Sequence, residues 1–541
     1  MVVGEAPTPK TAADNVTIAV VDVAPGGGLG SAQAPVEMYR NVGVGENMFY
    51  GESLSNLAAP RLALSYELAE DFSYAILHLR QGVQFTKGYG EFTADDAVWN
   101  MNDANGRTNP SSIHGQAGDF ASVFAEWEKI DTYTVKANFF RYDPVWNTNL
   151  LSESSQGLVF FSKKAYDELG ADGVANTVVA TGPMEVIEWV RDDHALLKGV
   201  GNWRMTPDIK ELRLIEVPEE ASRIAGMQTG EFQVADIAIK NQIQMVEQGF
   251  KTFTTGAGNQ MGIFYAGNLW ETHHALTGEK LDTAAVYMRE YPWTGNPAVE
   301  GDMEDARLVR WALAMAIDRE ALNETIIGGL GWPEYVEYCQ ANSPYFKEDW
   351  VVEYNLDKAK EYLKQTKTPN GFEIALYPQM PHAIRPELAD AIAGMWTKLG
   401  PAMKVEVPKY AYSIYRPGVV GRTTPIPWLC ECDEGRTQWP FDWPKARVMT
   451  SLTRGGFGCG NESPEIAQWF LQASKEPDMQ KRIEINLKVC DYLSYWQVGT
   501  GVVAVPVNFV YNPKRIASWT SDVDLWGESM FGIYNAKLTG K

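Results

Sequence analysis

Among the 541 residues, the side chains first to weigh for chemistry are six histidines (His78, His114, His194, His273, His274, His382) and five cysteines (Cys339, Cys430, Cys432, Cys459, Cys490). The histidines are scattered, and only His273 and His274 adjoin. Neighbouring positions point in different directions on a helix or strand, so one metal is seldom held by both. Cys430-x-Cys432 lacks the second pair that a structural zinc site requires. The chain has no G-x-S-x-G elbow, no G-x-x-x-x-G-K-[ST] phosphate loop and no H-E-x-x-H pair. No catalytic residue, cofactor or metal is therefore expected. Five cysteines cannot all pair; in an oxidising compartment one disulfide is expected from Cys459 to Cys430 or Cys432, the alternative being buried free thiols that act as small hydrophobes.

The chemistry that the chain does offer is aromatic contact. It has eighteen tryptophans, and aromatics make up 12% of the residues. Trp270, Trp428, Trp439 and Trp443 fall in expected loops or strand edges, where flat rings offer large contact area at low entropic cost. The window Pro425 to Pro444, PIPWLCECDEGRTQWPFDWP, combines aromatic and acidic residues with chain breakers.

The elements that must position these residues follow from periodicity. NVTIAVVDV, from Asn15, reads as a strand ended by the Gly26 to Gly28 run. Alternation from Tyr74 to Arg80 predicts a second strand, with turns at Gly82, Gly88 and Gly90. Thr93 and Asp96 have capping-box spacing at the start of a helix. TYTVKANF, from Thr132, predicts another strand after a breaker-rich loop at 105–119. A second region opens at Ala180-Thr181-Gly182-Pro183 and contains the amphipathic helix of PEEASRIAGMQTGEF, stopped by Gly230. A third opens near Gly262. In VRWALAMAIDREALNETIIG one helix ends near Asp318, which can cap the next, and Gly328 terminates that one. NLDKAKEYL and PELADAIAGMWTKL follow as amphipathic helices.

A chain of this length implies two or three domains, since single cores seldom exceed roughly 250 to 300 residues. The net charge of −22 and pI near 4.8 argue against nucleic-acid and anionic-membrane partners. No stretch approaches the roughly 20 apolar residues of a membrane helix. Residues 1–14 read as a flexible lead.

The words LRQGVQFTKGYGEFTADDAV, TGPM, N-W at Asn202 and Trp203, R-x-x-G-M-x-x-G-E at Arg223 and VRWALAMAID occur in an order that closely resembles the large extracytoplasmic solute-binding proteins of ABC importers, the peptide/nickel/oligosaccharide-binding family called family 5. The turn between Phe85 and Phe92 is a residue longer than usual, Met184 stands for a tyrosine, Gly226-Met227 for alanine-leucine, and Glu271 to Asp302 reads as an insertion. The resemblance implies an α/β, two-lobe periplasmic-binding-protein-like fold (class II, cluster C type) with three regions and a hinge of two crossing strands. Residues 15–59, 180–265 and 505–541 would form the main domain of lobe 1, 60–179 its accessory domain and 266–504 lobe 2.

It also implies the site. Trp428 matches a family tryptophan, and Glu431 falls where peptide-binding relatives carry an acid that pairs with the peptide's amino terminus, with Asp433 as the alternative; Trp439 lies in the same loop. The crossing strands place Tyr265 and Asn508 on the floor of an interlobe cleft. Asn47, Tyr50 and His114 sit where relatives place first-lobe contacts. The implied function is capture of a small solute, a di- or oligopeptide or else an oligosaccharide, for delivery to ABC transporter permease subunits. The implied protein is a periplasmic or extracellular monomer without a membrane span, whose precursor carries a signal or lipid anchor. From other classes, a secreted hydrolase or lyase and a sensor or chaperone domain are the competing readings.

Overall fold

The computed structural model describes residues 14–21, 23, 42–50, 58–112, 114, 117–143, 146–152, 158–190, 192–253, 259–265, 291–337, 339–378, 384–410, 427–430, 463–473, 475–476, 478–505, 509–519 and 532–540. These fall into two compact units: residues up to Phe253 and from Phe509 onward form the first, and Asn259 to Val505 lie in the second.

The first strand, β1 (Asn15–Val20), is buried on both faces. Val16, Ile18 and Val20 join a core with Val186, Leu197 and Leu214, while Ala19 faces Met227, Phe232, Ala235 and Val510. A strand with a core on each side must sit mid-sheet, which explains its near-continuous apolar sequence. The chain next builds a separate antiparallel sheet from β2 (Ala63–Leu68), β3 (Tyr74–Leu79), β4 (Phe124–Asp131) and β5 (Thr134–Phe139), in the order β2-β3-β5-β4. Ala75, Leu77 and Leu79 alternate inward, as two-residue periodicity requires, and pack with Phe92, Ala97 and Met101 around helix α1 (Ala94–Ala104).

The start of α1 carries the expected cap. Asp96 Oδ2 accepts the Thr93 backbone N–H at 2.9 Å and its hydroxyl at 3.1 Å. Asp96 Oδ1 also accepts the Lys163 N–H at 2.9 Å, at the first residue of α2 (Lys163–Asn176). One buried carboxylate thus serves two helix starts; burial pushes its pKa above the usual carboxylate value, against the pull of these hydrogen bonds.

The chain returns to the first sheet through β6 (Met184–Val190), β7 (His194–Gly199) and β8 (Glu211–Glu216), which pairs in parallel with β1. Gly182, just before β6, leaves no room for a Cβ against the Gly43 and Val44 carbonyls, so the TGPM word is a steric requirement. Helix α3 (Glu220–Thr229) ends at Gly230 with φ 82°, and leads to β9 (Val234–Asp236) and β10 (Lys251–Thr252). Gly226 in α3 stands against the Phe232 ring, which fills the space a side chain would need. Arg223 is buried and donates to the carbonyls of Asp236, Val217 and Pro218 at 2.6, 2.6 and 2.7 Å, closing α3 onto the strands beside it.

The second unit opens with β11 (Asn259–Tyr265), which pairs with strands of that unit, so the boundary between units precedes Asn259. Helix α4 (Asp302–Met315) and the short α5 (Arg319–Leu322) follow, the latter capped by Asp318, whose side chain accepts the Ala321 N–H at 3.0 Å. Gly328, with φ 70°, ends the π-helical turn that continues α5. Beyond β12 (Trp332–Pro333) come α6 (Leu356–Lys364), β13 (Tyr377–Pro378), α7 (Arg385–Trp396), β14 (Pro427–Cys430), α8 (Met479–Trp496) and β15 (Gly499–Val505). The sheet order is β12-β15-β11-β14-β13. The chain then re-enters the first unit as β16 (Phe509–Tyr511), giving the order β10-β16-β9-β1-β8-β7-β6 there.

Candidate functional site

The residues singled out by sequence divide between the two units. In the first, Asn47 is wholly buried and its Nδ2 donates to the Leu158 carbonyl at 2.8 Å, while Oδ1 has no hydrogen-bond partner. Tyr50 is half-buried beneath the Arg61 guanidinium, 4.8 Å from the ring centroid. His114 is buried against Phe120, with ring centroids 5.2 Å apart, and desolvation pushes its pKa down to about 4, so it is neutral at physiological pH. A neutral imidazole in that setting supplies hydrogen bonding and packing, not charge.

In the second unit, Tyr265 ends β11 wholly buried, its hydroxyl accepting from Thr500 Oγ1 at 3.4 Å, and burial pushes its pKa up to about 12. The backbone of Trp428 lies in β14, paired with Phe264 of β11 on one side and Tyr377 of β13 on the other. Cys430, the last described residue before Glu431, stands opposite Gly262. Glu431, Asp433, Trp439 and Asn508 lie outside the described residues, as do Cys432 and Cys459 and residues 271–290 of the expected insertion. The expected pairing of Cys459 thus falls outside them too.

Among the described residues the disulfide joins Cys339 to Cys490, with Cα atoms 6.1 Å apart, a pairing that the sequence reading did not select. The bond is buried in the core of the second unit with Val336, Trp350, Val489 and Leu493.

Beside it lies a polar interior that no local sequence signal revealed. Glu334 is wholly buried; its Oε2 accepts from Gln260 Nε2 at 2.7 Å and the Ala341 N–H at 2.9 Å, and its Oε1 from Trp332 Nε1 at 2.9 Å. Burial raises its pKa to about 8, outweighing these donors and the nearby Arg319 charge. Arg319 donates through Nε to the Glu334 and Gly501 carbonyls at 2.6 and 3.0 Å, and through Nη1 to Ala314, Ile317 and Val352 at 3.1, 3.3 and 3.3 Å. Arg310 donates to the Trp496 and Trp293 carbonyls at 2.8 and 2.5 Å. Desolvation lowers the two guanidiniums to about 10 and about 9, still charged at neutral pH. The arginines of the VRWALAMAIDR word therefore tie distant backbone segments to one another. Within this network Gln260 of β11 is held by Glu334, and Gly501 of β15 by Arg319. No group of three or more His, Cys, Asp or Glu side chains among the described residues is arranged to hold a metal ion. No described helix is long and apolar enough to cross a membrane.

Similarity to known proteins agrees with this arrangement. The E. coli K12 dipeptide-binding protein is 24% identical over 375 residues, 64% of this chain and 62% of that one. Heme-binding protein A of Haemophilus influenzae is 24% identical over 387 residues, 66% of this chain and 63% of the relative. These matches span less than two thirds of either relative's length. Among solved structures, HbpA2 from Haemophilus parasuis superposes with TM-score 0.75 at 18% identity, covering 97% of this chain and 100% of that one. DppA from Helicobacter pylori, in complex with the peptide STSA, gives 0.65 at 18% identity with coverage of 97% and 98%. Identities this low establish the fold, and the fold is the two-lobe α/β architecture of periplasmic binding proteins. The sequence profile of the bacterial extracellular solute-binding proteins, family 5, matches residues 58–423, more than half of the chain, and to that family this protein belongs.

Proposed function

We propose that this protein captures a small solute outside the cytoplasm, a di- or oligopeptide in the first instance, and delivers it to an ABC transporter. The observation that carries the reading is the family match over residues 58–423. A dipeptide-binding protein among the relatives and a peptide complex among the structures of like fold favour peptides. Glu431 supplies the carboxylate for the solute's ammonium group, because a desolvated cation needs a charge-assisted partner. Asp433, Trp439 and Asn508 contribute as well, with Asn47, Tyr50, His114, Tyr265 and Trp428 completing the set. Function resides in the free-energy difference between solute-bound and solute-free states and involves no bond-breaking step. The protein acts as a monomer in the periplasm or outside the cell.

The aromatic richness of the window around Trp428 favours a second reading, an oligosaccharide stacked on tryptophan faces. A thermal-shift screen with di- to pentapeptides, cello- and xylo-oligosaccharides and metal chelates separates the two. A true solute at about 100 times its Kd adds about 2.7 kcal/mol of apparent stability. A shift by a sugar with none by any peptide removes the peptide assignment.

A further inference from the structure

The Cys339–Cys490 disulfide is flanked by two amides that the protein leaves unsatisfied. Gln340 directly follows Cys339, in a turn closed by the Cys339 N–H donating to the Val336 carbonyl at 3.1 Å and the Ser343 N–H donating to the Gln340 carbonyl at 3.0 Å. Asn486 lies one helical turn before Cys490 in α8, on the face that also carries Leu493. Both residues are 0% exposed. Neither the amide oxygen nor the amide nitrogen of either side chain has a hydrogen-bond partner. Exchanging the two atoms within each amide changes nothing, since both ends are unpartnered.

Four orphaned amide atoms in one core are out of keeping with native interiors, where buried polar side chains are almost always satisfied by protein or by ordered water. Each unmade bond costs about 1 to 3 kcal/mol. A primary amide presents two donors and a carbonyl acceptor side by side. A cation would use only the carbonyl and an anion only the N–H groups; a neutral molecule that both donates and accepts uses all of them. Water is the smallest such molecule, and internal water typically makes about three hydrogen bonds. The disulfide ties the turn that carries Gln340 to the helix that carries Asn486.

We propose that ordered internal water occupies the second unit on either side of the Cys339–Cys490 disulfide, hydrogen-bonded to the side-chain amides of Gln340 and Asn486. Each amide is then a hydration site built into the core of the second unit.

A high-resolution crystal structure of the native chain tests this directly. The expected result is solvent density about 2.7 to 3.2 Å from an amide atom of each residue. Dry surroundings at either amide, a protein atom in hydrogen-bond contact with it, or an organic molecule in place of water overturns the proposal. Thermal unfolding gives an independent reading through the near-isosteric apolar variants Gln340→Met and Asn486→Leu. Each strands the water beside a surface that offers it no bonds, so each is expected to lower Tm by about 2 °C or more. Unchanged or raised Tm in both variants would mean that the amides are unhydrated. Should a variant fail to fold, the crystal structure of the native chain decides.

Discussion

Cys339 and Cys490, 151 residues apart in the chain, are joined in the interior of the second unit, binding the segment after β12 to helix α8. A bridge over that separation removes loop entropy from the unfolded chain worth about 5 kcal/mol in the chain-entropy account. The Cys339→Ala/Cys490→Ala double variant is expected to unfold at lower temperature than the parent, with the loss confined to the second unit. Calorimetry with and without reductant checks this: reductant should lower the parent's transition and leave that of the double variant where it is. Identical transitions for parent and variant would contradict it.

Arg319 spends its buried guanidinium on five backbone carbonyls. Arg319→Met keeps most of the stem and strands those acceptors. A loss of roughly 3 to 5 kcal/mol is expected, the range for breaking a buried charged network. Urea unfolding followed by tryptophan fluorescence measures it; a loss below about 1 kcal/mol would show that water takes over the carbonyls.

Burial raises Glu334 to about 8, well above the roughly 4.3 of a free glutamate. The folded state therefore keeps a proton that the unfolded state releases. Its contribution to stability is full below the ordinary carboxylate range and is lost as pH rises through about 8. Glu334→Gln removes this dependence, so the stability of the parent relative to the variant should fall steadily from pH 5 to pH 8. Paired Tm measurements across that window provide the check, and parallel curves would count against a buried, protonated Glu334.

Glu431→Gln bears on the peptide reading. Removing one partner of a desolvated charge pair costs about 2 kcal/mol or more, roughly 30-fold in Kd. Titration calorimetry with a peptide and with its N-acetylated form should show the parent discriminating between them and the variant binding both alike. Unaltered discrimination in the variant would end the role assigned to Glu431 and leave the solute-binding function standing.

What could be read in advance was what local chemistry dictates. The Thr93–Asp96 cap, the stop at Gly230 and the cap at Asp318 are decided within a turn or two of chain, and each stands where its residues predicted. The sequence words around Arg223, Arg310 and Arg319 were visible, but their purpose was not, since the carbonyls Arg310 and Arg319 satisfy lie as far as 186 and 182 residues away. The Cys339–Cys490 pairing and the Glu334 environment are likewise products of packing, without a spacing signal. Asn47 and Tyr265 were picked out by position in the chain; burial and their bonds to Leu158 and Thr500 are what the structure adds.

Strand β1 takes its partners from residues 211–216 and 234–235, and β9 is in turn flanked by β16 at 509–511. As the chain emerges from the ribosome, its first strand has no neighbour until about 190 residues have followed, and the sheet gains β16 only after the strands of the second unit have been made. Folding of the first unit is thereby deferred to the end of synthesis, while the described strands of the second unit, from β11 to β15, are in hand earlier. Non-local pairing of this kind is slow, so the first unit is the later of the two to close.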